Sequence, residues 1–225
     1  MRTEGQVDVP VGSGDAIRGD LIVPGAARGV VVFAHGSGSS RHSPRNRAVA
    51  AALHDRALGT LLMDLLTEDE ERSDRRTGEL RFDIGLLAER LVSTVSWLTD
   101  RSDVGALPVG FFGASTGAGA ALVAAARPSV DVAAVVSRGG RPDLAGESLD
   151  EVEAPTLLIV GGLDPTVIDL NRQAHDRMRA ERSLEIVPGA THLFEEPGAL
   201  DHVARMAGDW FTRHLTAPSR PGRTP

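Results

Sequence analysis

A serine hydroxyl attacks a carbonyl efficiently only when a base takes its proton as the bond forms, and that base works best when an acid holds it in the right tautomer. Three residues of this chain are spaced to supply those roles. Gly113-Ala114-Ser115-Thr116-Gly117 follows an apolar run at 108–112 and opens a stretch of small residues at 118–126. Ser115 is therefore expected at a tight strand-to-helix turn, its hydroxyl projecting from the carboxyl edge of a sheet. Asp164 follows the apolar run 156–160 in Gly161-Gly162-Leu163-Asp164-Pro165, and His192 follows the run 184–187 in Pro188-Gly189-Ala190-Thr191-His192. Serine, acid and histidine occur in the order this kind of turn requires. Asp164 has a competing role as the cap of the helix after Pro165, and Asp169 is a weaker acid candidate. His175, His202 and His214 fall within helical patterns and lack the position beyond a strand.

A tetrahedral intermediate also needs hydrogen-bond donors for its oxygen. His35-Gly36-Ser37-Gly38-Ser39-Ser40 directly follows the apolar run 29–34, so the backbone amide of Ser37 and that of Thr116 are the expected oxyanion donors. The same glycine-serine loop could cradle a phosphate, but it lacks both the P-loop lysine arrangement and the dinucleotide-binding glycine pattern. His35 reads as a loop histidine bonded to backbone rather than as a base. The chain has no cysteine, and no His-Glu-x-x-His or EF-hand spacing occurs, so neither a metal nor a cofactor is expected.

These side chains meet only if a particular scaffold holds them. Short β-branched runs at 29–34, 58–63, 108–112, 132–136 and 156–160 predict strands of a buried parallel sheet, and 184–187 is a shorter candidate strand at its far end. Residues 6–9 and 16–23, separated by Gly12-Ser13-Gly14-Asp15, predict an antiparallel hairpin at a sheet edge. Helical patterns lie between most of the runs. The clearest covers 82–98, where Ile84, Leu87, Leu91, Val95 and Leu98 form one apolar stripe. Ser43-Pro44 opens another, and further helices are expected at 115–126, 167–180 and 199–215. The alternation predicts an α/β fold with a mostly parallel sheet and helices on both faces. Residues 68–76, five acids and three arginines with no apolar residue, are expected to form an exposed loop. Residues 1–215 read as one domain, followed by a flexible tail at 216–225 rich in proline.

Composition narrows the function classes. Twenty-four basic against 31 acidic residues give a net charge of -7 over 225 residues, which disfavours nucleic-acid binding. No apolar run reaches membrane-spanning length and residues 1–10 lack a signal-peptide core, so the expectation is a cytoplasmic protein, monomer or homodimer, with no membrane partner.

With Ser115, Asp164, His192 and the His35-Gly36 loop identified, the chain resembles the α/β-hydrolase superfamily, and within it the dienelactone hydrolase-like group of small enzymes without a separate cap domain. Val136-Ser137-Arg138-Gly139-Gly140 and Gly189-Ala190-Thr191-His192-Leu193-Phe194 look like segments of that group. Its lactone-cleaving members use cysteine, and here Ser115 stands at that place. The resemblance therefore implies a serine hydrolase that cleaves small carboxylic esters through an acyl-enzyme. A serine amidase or peptidase and a non-catalytic binding scaffold are the alternatives. The short stretch 137–154 leaves no room for a lid, so the pocket is expected to be shallow and shaped by 41–44, 65–80 and 138–150. Leu163, Leu193 and Phe194 are its expected apolar lining. Arg138 and Arg41 are candidates to bind a substrate carboxylate, although Arg138 could equally form a surface salt bridge with Asp143 or Glu147.

Overall fold

Each of the apolar runs becomes a strand of one sheet. The computed structural model describes residues 3–12 and 14–215, so the tail expected at 216–225 lies outside the described residues. The elements are β1 (Thr3–Val11), β2 (Asp15–Val23), β3 (Val30–Ala34), α1 (Pro44–His54), β4 (Gly59–Met63), α2 (Glu68–Thr77) and α3 (Ile84–Thr99). They continue as β5 (Val109–Ala114), α4 (Thr116–Ala125), β6 (Ala134–Arg138), β7 (Thr156–Gly161), α5 (Pro165–Arg177), β8 (Arg182–Val187) and α6 (Ala199–His214). The strand order is β1-β2-β4-β3-β5-β6-β7-β8. β1 and β2 form the expected hairpin, β2 runs antiparallel to β4, and every other neighbouring pair is parallel.

This order has a topological switch between β3 and β5. From β3 the chain moves outward to β4 on one side and then returns to β5 on the other, so the loops leaving β3 and β5 diverge. A crevice opens at their carboxyl ends. The β3 loop carries Ser37 and the β5 turn carries Ser115.

Alternation along the strands divides the core between the two faces. Val30, Val32, Phe111 and Val135 pack with residues of α3 and α4, whereas Val31, Phe33, Phe112 and Val136 pack with α1 and α6. The small residues of α4 have a specific reason. A methyl group on Gly117 would lie 2.3 Å from the Ala34 carbonyl oxygen and 2.5 Å from that of His35, so helix and strand end meet backbone to backbone. Residues Pro142–Glu151 form 3-10 turns that pack on α4, where Leu144 faces Gly119, so no large cap domain is inserted. Among the described residues no helix is long and apolar enough to cross a membrane.

One expectation is corrected. Residues 68–76 are not a loop; they form most of α2. Thr67 and Glu70 make a reciprocal capping box, four acids occupy the first turn, Arg75 and Arg76 the last, and Gly78 closes the helix in the left-handed conformation. With no apolar stripe, α2 is tied down by ion pairs: Arg18 with Glu68, Arg90 with Glu70 and Arg81 with Asp74. Asp74 is buried and accepts from the Arg81 amide at 3.2 Å and from Arg81 Nε at 2.6 Å. Burial alone would raise its pKa, but the Arg81 hydrogen bonds outweigh that effect and hold the carboxyl below its usual range.

Two outcomes follow from these contacts. G117A should lower stability by about 1–3 kcal/mol or more by overpacking, read as a fall in melting temperature of ~2–4 °C per kcal/mol. D74N should speed amide hydrogen exchange in 68–77 while leaving β5 and α4 protected. Because the folded-state pKa of Asp74 is depressed, its contribution is in place above the ordinary value of 3.8 and is lost as pH falls below it. Uniform acceleration throughout the chain would contradict a local role.

Candidate active site

Ser115 sits between β5 and α4 with φ 50° and ψ -122°, a conformation that side chains other than glycine seldom adopt. Its backbone is held from both sides: the Ser115 amide donates to the Arg138 carbonyl at 3.3 Å, and its carbonyl accepts from the amides of Ala118 at 3.0 Å and Arg141 at 3.1 Å. The hydroxyl makes no capping bond to α4. The β3 loop presses against this turn, with the position of a Gly36 methyl only 3.1 Å from Ser115 Cβ.

Asp164 and His192 meet through cross-bonded loops. The Gly162 amide donates to the Val187 carbonyl at 2.8 Å, and the Leu163 amide to the Ala190 carbonyl at 2.9 Å. Gly161 lets the histidine loop pass close, since a methyl there would lie 2.5 Å from the carbonyl oxygens of Ala190 and Thr191. Asp164 does occupy the position before α5, yet its side chain makes no capping bond. Its Oδ2 instead lies 2.7 Å from His192 Nδ1. A carboxylate only accepts, so Nδ1 carries the proton and Nε2 of the neutral ring is left as a base. The His192 ring borders Gly139, the residue after Arg138, whose carbonyl bonds the Ser115 amide. Ser115 and the His192–Asp164 pair thus lie at the same edge of the sheet. Beside His192, the Thr191 hydroxyl bonds Glu196 and holds that carboxyl below its usual range.

Ser37 and Thr116 are also brought together, though in an arrangement the sequence does not reveal. The Ser37 amide donates to Thr116 Oγ1 at 2.8 Å. His35 is partly buried, and its Nδ1 lies 2.9 Å from the Gly36 carbonyl oxygen, which makes Nδ1 the protonated nitrogen. Burial lowers its pKa more than the neighbouring carbonyl and carboxylates raise it, so the ring is a neutral structural element.

The remaining expected residues separate. Leu163 and Leu193 flank Asp164 and His192 and are 62% and 41% exposed. Phe194 does not line the opening: it is buried in the core on the α1 and α6 face. Arg41 is already paired with Asp64 and approaches Asp20 at 3.8 Å, so its charge is satisfied within the protein. Arg138 forms neither surface salt bridge, because Asp143 pairs with Arg141 at 2.7 Å. Its guanidinium is buried, 3.5 Å from Asn46 Oδ1 and 5.9 Å from the Phe194 ring centre, with no partner for Nε or Nη1 among the described residues. Burial and the charge of Arg45 push its pKa down to about 10, which leaves it cationic at neutral pH.

Beside Thr116 lies a cavity of about 280 Å³ bounded by residues 35–40, Asp64, Leu65, Leu66, Leu87 and the charged face of α2 with Arg81. The expected loop at 65–80 therefore does shape a pocket, as a helix. Arg81 and Leu87, which lie beyond 65–80, were not anticipated as lining; for the helix itself the capping box at Thr67 and Glu70 was the available signal.

Comparison with known proteins fits this geometry. Residues 18–216 match the model of the dienelactone hydrolase family. A crystal structure of a dienelactone hydrolase from Anabaena variabilis ATCC 29413 shares 57% identity, with a TM-score of 0.92 over 95% of this chain and 99% of that one. Est1E from Butyrivibrio proteoclasticus has the same fold at 15% identity, TM-score 0.77, covering 94% and 99% of the two chains. Proteins of Mycobacterium tuberculosis strains CDC 1551 / Oshkosh and H37Rv, provisionally named phosphoribosyl transferases, are 59% identical over 206 residues, or 92% of this chain. The chain spans 46% of the length of those curated relatives. With its sheet order, its serine at the strand-helix turn and a match over 18–216, the chain belongs to the dienelactone hydrolase family.

Proposed function

We propose that the protein is a serine hydrolase of small carboxylic esters. The observation that carries this reading is the His192 Nδ1 to Asp164 Oδ2 contact of 2.7 Å at the sheet edge that presents Ser115. Ser115 attacks the ester carbonyl while His192 Nε2 takes its proton, and Asp164 holds the ring and stabilises the imidazolium. The intermediate collapses as His192 protonates the departing alkoxide. Water then attacks the acyl-enzyme with His192 as base, and Ser115 leaves with its proton restored. The Thr116 amide, and beside it the hydrogen-bonded pair of Ser37 N–H and Thr116 Oγ1, receive the charge in both tetrahedral states.

The cavity beside Thr116 accommodates the acyl group, and its size limits that group to a short chain or a single ring. Leu163 and Leu193 line the departing alcohol's side, and Arg138 attracts an anionic substituent reaching toward α1. Esters are favoured over amides because an alkoxide needs less help from His192 to leave. The names of the mycobacterial relatives support a second reading, phosphoribosyl transfer, which the same preparation tests through release of pyrophosphate from phosphoribosyl pyrophosphate.

Fluorophosphonate labelling and hydrolysis of short p-nitrophenyl esters test the first reading. S115A should lose labelling, and S115A and H192A should each lower kcat by about 10³-fold or more. Labelling of S115A at the active site with an undiminished rate would dismiss the mechanism. For the pocket, L66W should lower kcat/KM for hexanoate relative to acetate esters by about tenfold or more. An unchanged ratio would place the acyl group elsewhere.

A further inference from the structure

The Ser37 amide has one proton, and that proton is directed at Thr116 Oγ1 at 2.8 Å. It cannot also be given at full strength to an oxyanion. The hydroxyl it bonds, however, acts there as acceptor and keeps its own proton, for which no acceptor exists among the described residues. Thr116 is buried, so its side chain cannot pass this proton freely to bulk water, and it forms part of the wall of the cavity beside Ser37 and Gly36. It is also the first residue of α4, immediately after Ser115. Its amide and its Oγ1 are three bonds apart, so an oxygen bonded by the one lies within reach of the other.

We infer that the Thr116 hydroxyl, rather than the Ser37 amide directly, is the second donor to the oxyanion. The inference rests on the serine-hydrolase reading above. In this arrangement Ser37 N–H bonds Thr116 Oγ1, and Thr116 O–H bonds the negative oxygen. The first bond polarises the second, since a hydroxyl that accepts becomes a better donor. No proton is transferred along the chain. The hydroxyl shifts its hydrogen toward the oxygen as charge develops and relaxes when the intermediate collapses, and a hydroxyl-to-oxyanion bond is a strong, charge-assisted one. Thr116 thus contributes both an amide and a side chain, and the β3 loop positions the side chain.

The test compares T116V, which keeps the shape and removes the hydroxyl, with T116S, which restores it. T116V should lower kcat for p-nitrophenyl acetate by about 10²–10³-fold with KM little changed, and T116S should recover most of that loss. The competing arrangement makes the opposite prediction. If the Ser37 amide is the donor, T116V frees it, and kcat is retained or rises, which would overturn the inference. Equal losses in T116V and T116S would do so too, because they would mark a packing effect of the β-methyl group. Wild-type and S115A labelling by fluorophosphonate, run alongside, separates the two levels: a missing contrast removes the serine reading itself, whereas an intact contrast with a fully active T116V removes only the role of the hydroxyl. Should T116V fail to fold, a structure of the wild-type phosphonate adduct decides. Thr116 Oγ1 within ~3 Å of the phosphoryl oxygen supports the inference. Ser37 N on that oxygen, with Oγ1 turned away, defeats it.

Discussion

At the base of the site two backbones meet with no side chain between them. The absent Cβ of Gly117 allows the start of α4 to rest on the carbonyls of Ala34 and His35 at the end of β3. A wider separation would carry Thr116 away from the β3 loop, and the bond between Ser37 N and Thr116 Oγ1 could not close. It would also release the turn at Ser115, whose positive φ is sustained by bonds to Arg138, Ala118 and Arg141. Strain of this kind costs of order 1–3 kcal/mol, and it persists where neighbouring structure over-determines the residue. Here the ends of β3, β5 and β6 do so together.

That dependence explains which features were legible in the sequence. Ser115, Asp164 and His192 could be placed because each lies just beyond a strand, and parallel strands with right-handed crossovers bring all their carboxyl ends to one edge. The position of each followed from local pattern plus a single topological rule. α2 escaped because its pattern is not hydrophobic periodicity. Its determinants are the capping box at Thr67 and Glu70, charges matched to the helix dipole, and ion pairs to Arg18, Arg81 and Arg90, of which only the first two are local in sequence. The Ser37–Thr116 bond escaped for a different reason. It joins residues 79 apart in the chain and depends on an approach distance that no spacing encodes.

The arginines show how little residue type says about role without neighbours. Arg41 lies in the loop after β3 and Arg138 is the last residue of β6, and by residue type either is suited to an anionic substrate. The fold gives Arg41 two carboxylates, Asp64 and Asp20, and so removes it from competition for ligands. Arg138 pairs in register with Ala114 on β5 and is buried on the sheet face shared by α1 and Phe194. An amide oxygen and an aromatic face are weak compensation for a buried cation. The depression of its pKa has that origin, and the cation is retained because arginine's intrinsic basicity is so high.

The two flanks of Ser115 differ in enclosure, and on the proposed chemistry this difference has a kinetic meaning. On the Thr116 side the cavity is walled by the β3 loop, Leu65, Leu87 and α2. On the His192 side the imidazole is 38% exposed and Leu163 and Leu193 are open to solvent. An acyl group held in the walled cavity retains its contacts from the bound ester through both tetrahedral states and the acyl-enzyme. Alcohol contacts are relinquished when the first intermediate collapses. Binding energy from the enclosed flank is thus available to both chemical steps, whereas energy from the open flank can assist acylation only. Selectivity should accordingly be stringent toward the acid portion and permissive toward the alcohol. α2 sets the size of the walled cavity, and it is a helix attached by ion pairs rather than by an apolar face. On the proposed chemistry, substitutions among its charged side chains would therefore reshape the acyl site while sparing the core beneath Ser115, Asp164 and His192.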